Sequence, residues 1–466
     1  MKTQRKTPTH SPYLRLLNYS LCLSLGFRIL IPEALSAESF DWPQWQGPDR
    51  NAVSKETGLL QEWPREGPPL AWKTNGLGSG YSAPSVAKGQ IFGMSNRGDN
   101  EVVWSISESD CKTLWVTNLG TALTEGKPQG KEGGGCTPTI DGDRAYVLGL
   151  GGDLVCLQTT DGTMLWKRNL VTDLGGILPT WRYNESPLVD GDKVICTPGG
   201  DEATIVALNK MTGELIWQTA VPELEEANAD NQSSRRRSRG PEYRNSRAGY
   251  ASALAIHYAG QRQYLQFTSK SLVGVAATSG KLLWRYDRPA NGFGITCSTP
   301  VYQDGKVFAA SAYRAGGGLA RLSANGDAGI AAEEVWFSKN MENHHGGMLV
   351  IDGALYGSNG GNGGGYLICL DFETGGVLWN EKDREKRRVK KGSVAYADGR
   401  IYYRTEEGEV VLIEPNRMNY IERGRFEQPD RSYQPAWTHP IIANGKLYIR
   451  DQDSLYCYDV KRHDGF

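Results

Sequence analysis

The sequence predicts an all-β chain: an eight-bladed β-propeller of four-stranded antiparallel blades closed by an N-terminal strand, with seven blades as the fallback. Three observations predict it. The first is a module, TPTIDGDRAYVLGLGGDLVCLQTTDGTMLW from Thr137 to Trp166, that reads as four short strands separated by Asp-Gly, Gly-Gly-Asp and Thr-Thr-Asp-Gly turns. Such pairs between apolar, β-prone runs signal hairpins, because tight turns need positive φ. The second is recurrence. A like turn falls at Lys88–Gly89, Asp141–Gly142, Asp190–Gly191, Ala259–Gly260, Asp304–Gly305, Asp352–Gly353, Asp398–Gly399 and Asn444–Gly445, mostly at spacings of roughly 45 to 53 residues. A closing tryptophan recurs at positions 115, 166, 217, 284, 336 and 379. Four strands per unit at this period mean a propeller. The third is a mismatch at the ends. The last module, His439–Val460, lacks its tryptophan strand, and such a strand stands at Leu70–Lys73. Pairing the two closes the ring and removes two raw sheet edges.

Taken in order, residues 1–37 read as an export signal. Lys2, Arg5, Lys6 and Arg15 precede a short apolar core, Leu16–Leu25, and small residues follow at Ala34–Ala37. The core is too short for a stable membrane span. Residues 38–69, rich in Pro and Trp, are expected to wrap the surface; the alternative is a docking lip. Residues 70–466 form the propeller. Its seventh module lacks a clear tryptophan, and Phe426 is the expected stand-in. Residues 222–249 interrupt the fourth module with glutamates and an arginine-rich run, Ser233–Arg239, and read as a charged flexible loop. A second charged run, Glu381–Lys391, has the same reading.

Net charge is −1, which gives no pull toward nucleic acid. Of the eight cysteines, Cys156, Cys369 and Cys457 fall at one third-strand position in separate blades, where Ala207 also sits. Equivalent positions on different blades are too far apart for a disulfide. They read as small core residues, and an odd count after signal removal leaves a free thiol.

Inner strands of a propeller all start near one end of the axis. The residues before each inner strand therefore converge: Tyr81 and Ser82, Cys136, Asn184 and Glu185, Tyr250, Cys297, His344 and His345, Lys390 and Lys391, Trp437 and His439. Among six histidines, the pair in Asn343-His344-His345-Gly346-Gly347 stands out. It offers metal ligands, with Glu185 or Cys136 as partners. Adjacent strand residues point to opposite faces, so the structural reading is preferred and no metal is expected. Trp181-Arg182-Tyr183-Asn184-Glu185 combines a base, an acid and rings. It suits a small anionic or planar ligand, or a salt-bridged loop. The candidate cofactor-binding funnel residues are therefore Arg182, Asn184, Glu185, His344, His345 and Trp437, with no catalytic residue assigned. The glycine-rich hairpin after Asn359 lacks the strand–loop–helix setting of a phosphate cradle. The chain has no Cys-x-x-Cys-His, Gly-x-Ser-x-Gly or His-Glu-x-x-His motif and no vicinal cysteines.

The pattern Asp-Gly, apolar run, Gly-x-Leu-x-Cys/Ala-Leu, Thr-Gly-x-x-x-Trp is clearest at Asp190–Trp217 and Asp352–Trp379. It resembles the pyrroloquinoline-quinone (PQQ) type of propeller repeat over about residues 70–460. The resemblance implies one of two functions. One is a binding or scaffold propeller like the lipoprotein of the β-barrel assembly machinery, BamB, without its lipid-bearing cysteine. The other is a PQQ-dependent oxidoreductase of alcohols or sugars, with PQQ and calcium in the funnel and Arg182 near the quinone carboxylates. The vicinal disulfide common in those enzymes is missing here, and their catalytic aspartate and calcium ligands are carried over to no position of this chain. The expected function is thus an exported, periplasmic or secreted, monomeric platform for a cell-envelope protein or polymer. PQQ and calcium are possible but not required.

Overall fold

In the computed structural model the described residues are 39–123, 132–222, 246–324, 326, 329–361, 364–382, 389–432 and 434–463. The expected signal (1–37) and most of the 222–249 insertion lie outside them. The described chain forms eight antiparallel sheets of four strands each, arranged as an eight-bladed propeller. Blade 1 begins at Ser85, blade 2 at Thr139, blade 3 at Leu188 and blade 4 at Leu254. Blades 5 to 8 begin at Val301, Met348, Gly392 and Ile441. The outer strand of blade 8 is Leu70–Thr74, which pairs with Ser454–Asp459 and closes the ring. No helix among the described residues is long and apolar enough to cross a membrane.

The first hairpin of each blade follows its turn chemistry. In blade 1 Ala87 faces Gln90, and the two loop residues Lys88 and Gly89 have φ of 55° and 72°. Both are left-handed, as a type I′ turn requires. In blade 2 Asp141 faces Arg144, so the loop is Gly142–Asp143 and only Gly142 has positive φ. That is the type II′ solution, with glycine first. The Asp-Gly-Asp sequence of blades 2 and 3 therefore shifts the turn by one residue relative to its neighbours.

On the outer strands, register sets the tryptophans. Trp115, Trp166, Trp217, Trp284, Trp336, Trp379 and Trp72 face Ser105, Cys156, Ala207, Gly274, Leu319, Cys369 and Cys457 across the sheet. The three cysteines are equivalent and buried, as expected, and the described cysteines are all free thiols. Each pair of third and fourth strands bulges beside this position, which bends the outer strand and re-aims the ring. The indoles reach the next blade. Trp115, Trp166, Trp217, Trp336 and Trp379 donate Nε1–H to the carbonyls of Thr159, Lys210, Ala277, Phe372 and Asn416. The turn glycine there packs on the ring face: a Cβ on Gly375 would stand 2.5 Å from Trp336. The Gly-x-x-x-Trp of each repeat thus serves two different interfaces. Trp284 departs from this pattern and donates to Gln263 of its own blade.

Blade 7 corrects an expectation. Phe426 faces Val410, two residues from the tryptophan position, which is Gly424 opposite Leu412. The missing ring comes from Trp63 of the N-terminal lead, whose Cβ stands where a Gly424 side chain would. Trp63 packs on Tyr402 at 5.7 Å and on Phe426 at 5.5 Å.

The lead also does more than wrap the surface. Trp42 pairs with Val86 of blade 1, and Pro43 accepts from Ile140 of blade 2. Ala52 and Ser54 pair with Tyr396 of blade 7. Between them Arg50, only 2% exposed, donates to the carbonyls of Ser186, Pro187 and Ala253. Inner-strand carbonyls that face the axis have no neighbouring strand, and buried carbonyls need donors. A terminal nitrogen of Arg50 also reaches Thr139 Oγ1 at 3.4 Å, so one guanidinium bridges blades 2, 3 and 4, while its Nε donates to Gln44 of the lead. The end of the insertion is built in as well. Arg247 is buried, donates to the Gly199 carbonyl and pairs with Asp201 at 2.8 Å.

Candidate functional site

The residues before the inner strands converge on a cavity of about 320 Å³. Tyr81 reaches it from blade 1, Asn184 from blade 3, Tyr250 and Ser252 from blade 4, and Cys297 from blade 5. His344 and His345 come from blade 6 and Trp437 from blade 8. Trp45 enters from the lead, Trp181 and Glu132 from loops of blades 3 and 2, and Tyr313 from the loop between the middle strands of blade 5.

The rings form a continuous arc. Tyr81 lies 4.7 Å from Trp437, Trp437 stacks on His345 at 4.4 Å, and His345 lies 3.8 Å from His344. His344 meets Tyr313 edge-on at 5.1 Å. Polar contacts hold the arc. The Tyr81 hydroxyl donates to Glu132 at 2.8 Å. Asn184 accepts from the Gly135 amide and donates to the Trp181 carbonyl, tying two loops together. Trp45 Nε1 donates to Thr299 Oγ1 at 2.8 Å.

Burial sets the charge of the floor. It pulls His344 down to about 3, helped by the nearby Lys391 charge, and pulls His345 well below the usual range. It takes His439 to about 4 and pushes the Cys297 thiol up to about 12. At neutral pH the floor is therefore uncharged.

A family model described as outer membrane protein assembly factor BamB, of the PQQ-repeat type, matches residues 99–381. The chain belongs to this family. A search of curated proteins finds no match. Solved structures share the fold. BamB from Moraxella catarrhalis is 18% identical with a TM-score of 0.54, over 85% of this chain and 99% of that one. A quinohemoprotein alcohol dehydrogenase from Comamonas testosteroni is 14% identical with a TM-score of 0.61, over 91% of this chain and 81% of that one. A europium-containing methanol dehydrogenase is 11% identical with a TM-score of 0.58, over 88% and 89%.

Within this BamB-like propeller, Asn184, His344, His345 and Trp437 line the cavity as the convergence argument expects. Glu185 does not. It is turned into the core, accepts from the amide and hydroxyl of Thr197, and is pushed up to about 7 by burial. Arg182 sits at a left-handed φ of 66° with its side chain outside the lining. The two histidines share one cavity instead of pointing apart. They lie in a bend ahead of the strand Met348–Ile351, so strand alternation does not apply. Lys391 stands off the cavity, paired with Glu406 at 3.0 Å. Trp45, Glu132 and Tyr313 went unread in the sequence. Tyr313 lies at the funnel end of a hairpin, a place the repeat itself marks; Trp45 and Glu132 carry no such signal.

PQQ is a flat trianion, and its calcium needs oxygen ligands. Among the described residues no arginine or lysine lines the cavity, and its one carboxylate, Glu132, already accepts from Tyr81. The lining does not fit PQQ with calcium.

Proposed function

We propose that this chain is an exported recognition propeller of the cell envelope, whose funnel takes one or two side chains of an extended segment of a partner protein. The observation that carries this reading is the arc of aromatic rings around a cavity with an uncharged histidine floor and few polar handles. Rigid rings offer contact area at little entropic cost and make hot spots when buried by a partner. Membership of a family described as an outer membrane assembly factor supports a protein partner. The outer strands of blades 1 to 3 expose Leu114, Val116, Leu165, Leu215 and Ile216, a further apolar surface in keeping with a binding role.

The test uses the purified full chain. Peptides selected from a random library are titrated against wild type, Tyr81→Ala and Trp437→Ala, with tryptophan fluorescence as the readout. Tenfold or greater weakening in both variants is expected. Equal affinity in all three proteins overturns the funnel reading. Displacement of the peptides by an envelope glycan would move the partner to a polymer. Micromolar PQQ binding with dye-linked alcohol turnover would replace the proposal with the oxidoreductase reading. Export is tested by fusing residues 1–37 to a reporter that is active only after secretion.

A further inference from the structure

The floor of the funnel offers a second chemistry, because two of the rings in the arc, His344 and His345, stand beside a thiol. The ligand atoms of Cys297, His344 and His345 lie within 4.8 Å of one another. We infer that these three side chains bind a single thiophilic first-row metal ion, zinc(II) or copper(I).

Three observations carry this. First, His344 is 5% exposed, and its Nδ1 is buried with no hydrogen-bond partner. Its Nε2 lies 3.0 Å from the Tyr313 hydroxyl. With Nε2–H donating to Tyr313, Nδ1 carries the lone pair, the arrangement by which an outer-shell partner fixes a metal-binding tautomer. A buried imidazole nitrogen without a partner is otherwise a standing cost.

Second, the two loops that bring the ligands together are fixed to each other. Ser298, next to Cys297, donates to Asn343 Oδ1 at 2.5 Å, and Asn343 Nδ2 donates to the Gly347 carbonyl at 2.9 Å. His439 Nε2–H donates to the His345 carbonyl at 2.7 Å. A Cβ on Gly346 would stand 1.9 Å from the Gly392 carbonyl, so the bend lies tight against blade 7.

Third, the donor set selects the ion. One sulfur and two imidazoles suit zinc and copper, whereas calcium takes oxygen ligands and finds none in this set. Metal–ligand lengths of about 2.0 Å to nitrogen and 2.3 Å to sulfur put tetrahedral ligands about 3.5 Å apart. Ligand atoms that lie within 4.8 Å of one another must draw together to that spacing on binding. Binding replaces the Cys297 proton with the metal. The Lys391 charge that reaches both histidines is paired with Glu406. Three protein ligands leave zinc a fourth position open to the cavity.

The test uses the full chain without an oligohistidine tag, loaded separately with zinc(II), copper(I) and calcium and passed over a chelating resin. One equivalent of zinc or copper retained, and no calcium, is expected; the ion retained distinguishes the two. Cobalt(II) in the same site should give a thiolate charge-transfer band in the near ultraviolet. Cys297→Ser should abolish the band and weaken retention at least tenfold, and His345→Gln should weaken it similarly, while Cys111→Ser changes neither. Circular dichroism melts check that each variant folds. Should Cys297→Ser fail to fold, X-ray absorption on the loaded wild type decides, with one sulfur and two imidazole nitrogens expected. Less than a tenth of an equivalent bound, unchanged retention in Cys297→Ser, or a sulfur-free shell overturns the site. Peptide affinity is measured apart from metal loading, so this inference and the proposed function fail separately.

Discussion

The outer girdle and the central funnel use the same eight-fold scaffold in opposite ways. In the girdle, five equivalent indoles make the same bond to the next blade, and Trp63 is brought in from the lead where blade 7 has glycine. In the funnel, equivalent positions differ: Tyr81, Asn184, Cys297, His344 and Trp437 all precede inner strands. A contact repeated around a ring adds stability in nearest-neighbour increments. A position at which every blade differs is free to carry a specific site. The girdle should therefore govern melting and the funnel should govern binding.

Arg50 tests that division most severely, because it lies at the axis and yet is structural. Its guanidinium is buried, and burial lowers it only to about 10, so it stays charged at neutral pH. Arg50→Ala strips donors from the carbonyls of Ser186, Pro187 and Ala253. The expected cost is about 3–5 kcal/mol, read from urea unfolding. A loss under about 1 kcal/mol would mean that the axis does not need its plug.

Glu185 lies one residue from cavity-lining Asn184 but belongs to the core. Burial raises its carboxyl to about 7, above the ordinary 4.5. The folded state therefore holds a proton that the unfolded chain has lost, and this group's contribution falls as pH rises from about 4.5 to 7. His344 and His439, held down by burial, act in the opposite sense below about 6.5. The clean observable is the difference between proteins. Glu185→Gln should gain on wild type by about 3 kcal/mol between pH 4.5 and pH 7 in denaturant melts. A parallel pH dependence in the two proteins would place the Glu185 titration at its ordinary value.

The sequence made the girdle legible because turn residues and tryptophans repeat at a fixed period, which points to blade count and strand order, while the strand missing from the last module and present at Leu70–Lys73 points to ring closure. It made part of the funnel legible through the same symmetry, which is why Asn184, His344, His345 and Trp437 were found. What it hid depends on side-chain direction. Glu185 and Arg182 are neighbours of Asn184, and no period says which of the three faces the axis. The histidine pair was misread by applying strand alternation to a bend. Trp45, Arg50 and Trp63 were hidden because the lead is not a repeat, so its partners are set only by tertiary packing. The Gly-x-x-x-Trp motif hides one thing more: its two ends are close in sequence but belong to different blade interfaces.

A pair of glycine substitutions sharpens this last point. Gly89 and Gly375 both have positive φ, 72° and 71°, so alanine meets a left-handed backbone at each. A Cβ at Gly89 meets nothing within 4 Å, whereas at Gly375 it enters the Trp336 ring. Gly89→Ala should cost about 1 kcal/mol and Gly375→Ala about 1–3 kcal/mol more, seen as a larger drop in Tm. Equal costs would show that the glycine is there for its turn alone.

The smallest effect separates the resident indoles from the recruited one. Trp379 donates to the Asn416 carbonyl at 2.7 Å, whereas the buried Nε1 of Trp63 has no hydrogen-bond partner. Phenylalanine keeps a ring at either site and removes the N–H. At Trp379 that loses a hydrogen bond and orphans an acceptor; at Trp63 it removes a donor that is already unsatisfied. Trp379→Phe should therefore cost about 1–2 kcal/mol more than Trp63→Phe in paired denaturant titrations. Equal costs would mean that ring volume alone makes the staple, and that blade 7 lost nothing by taking its ring from outside the repeat.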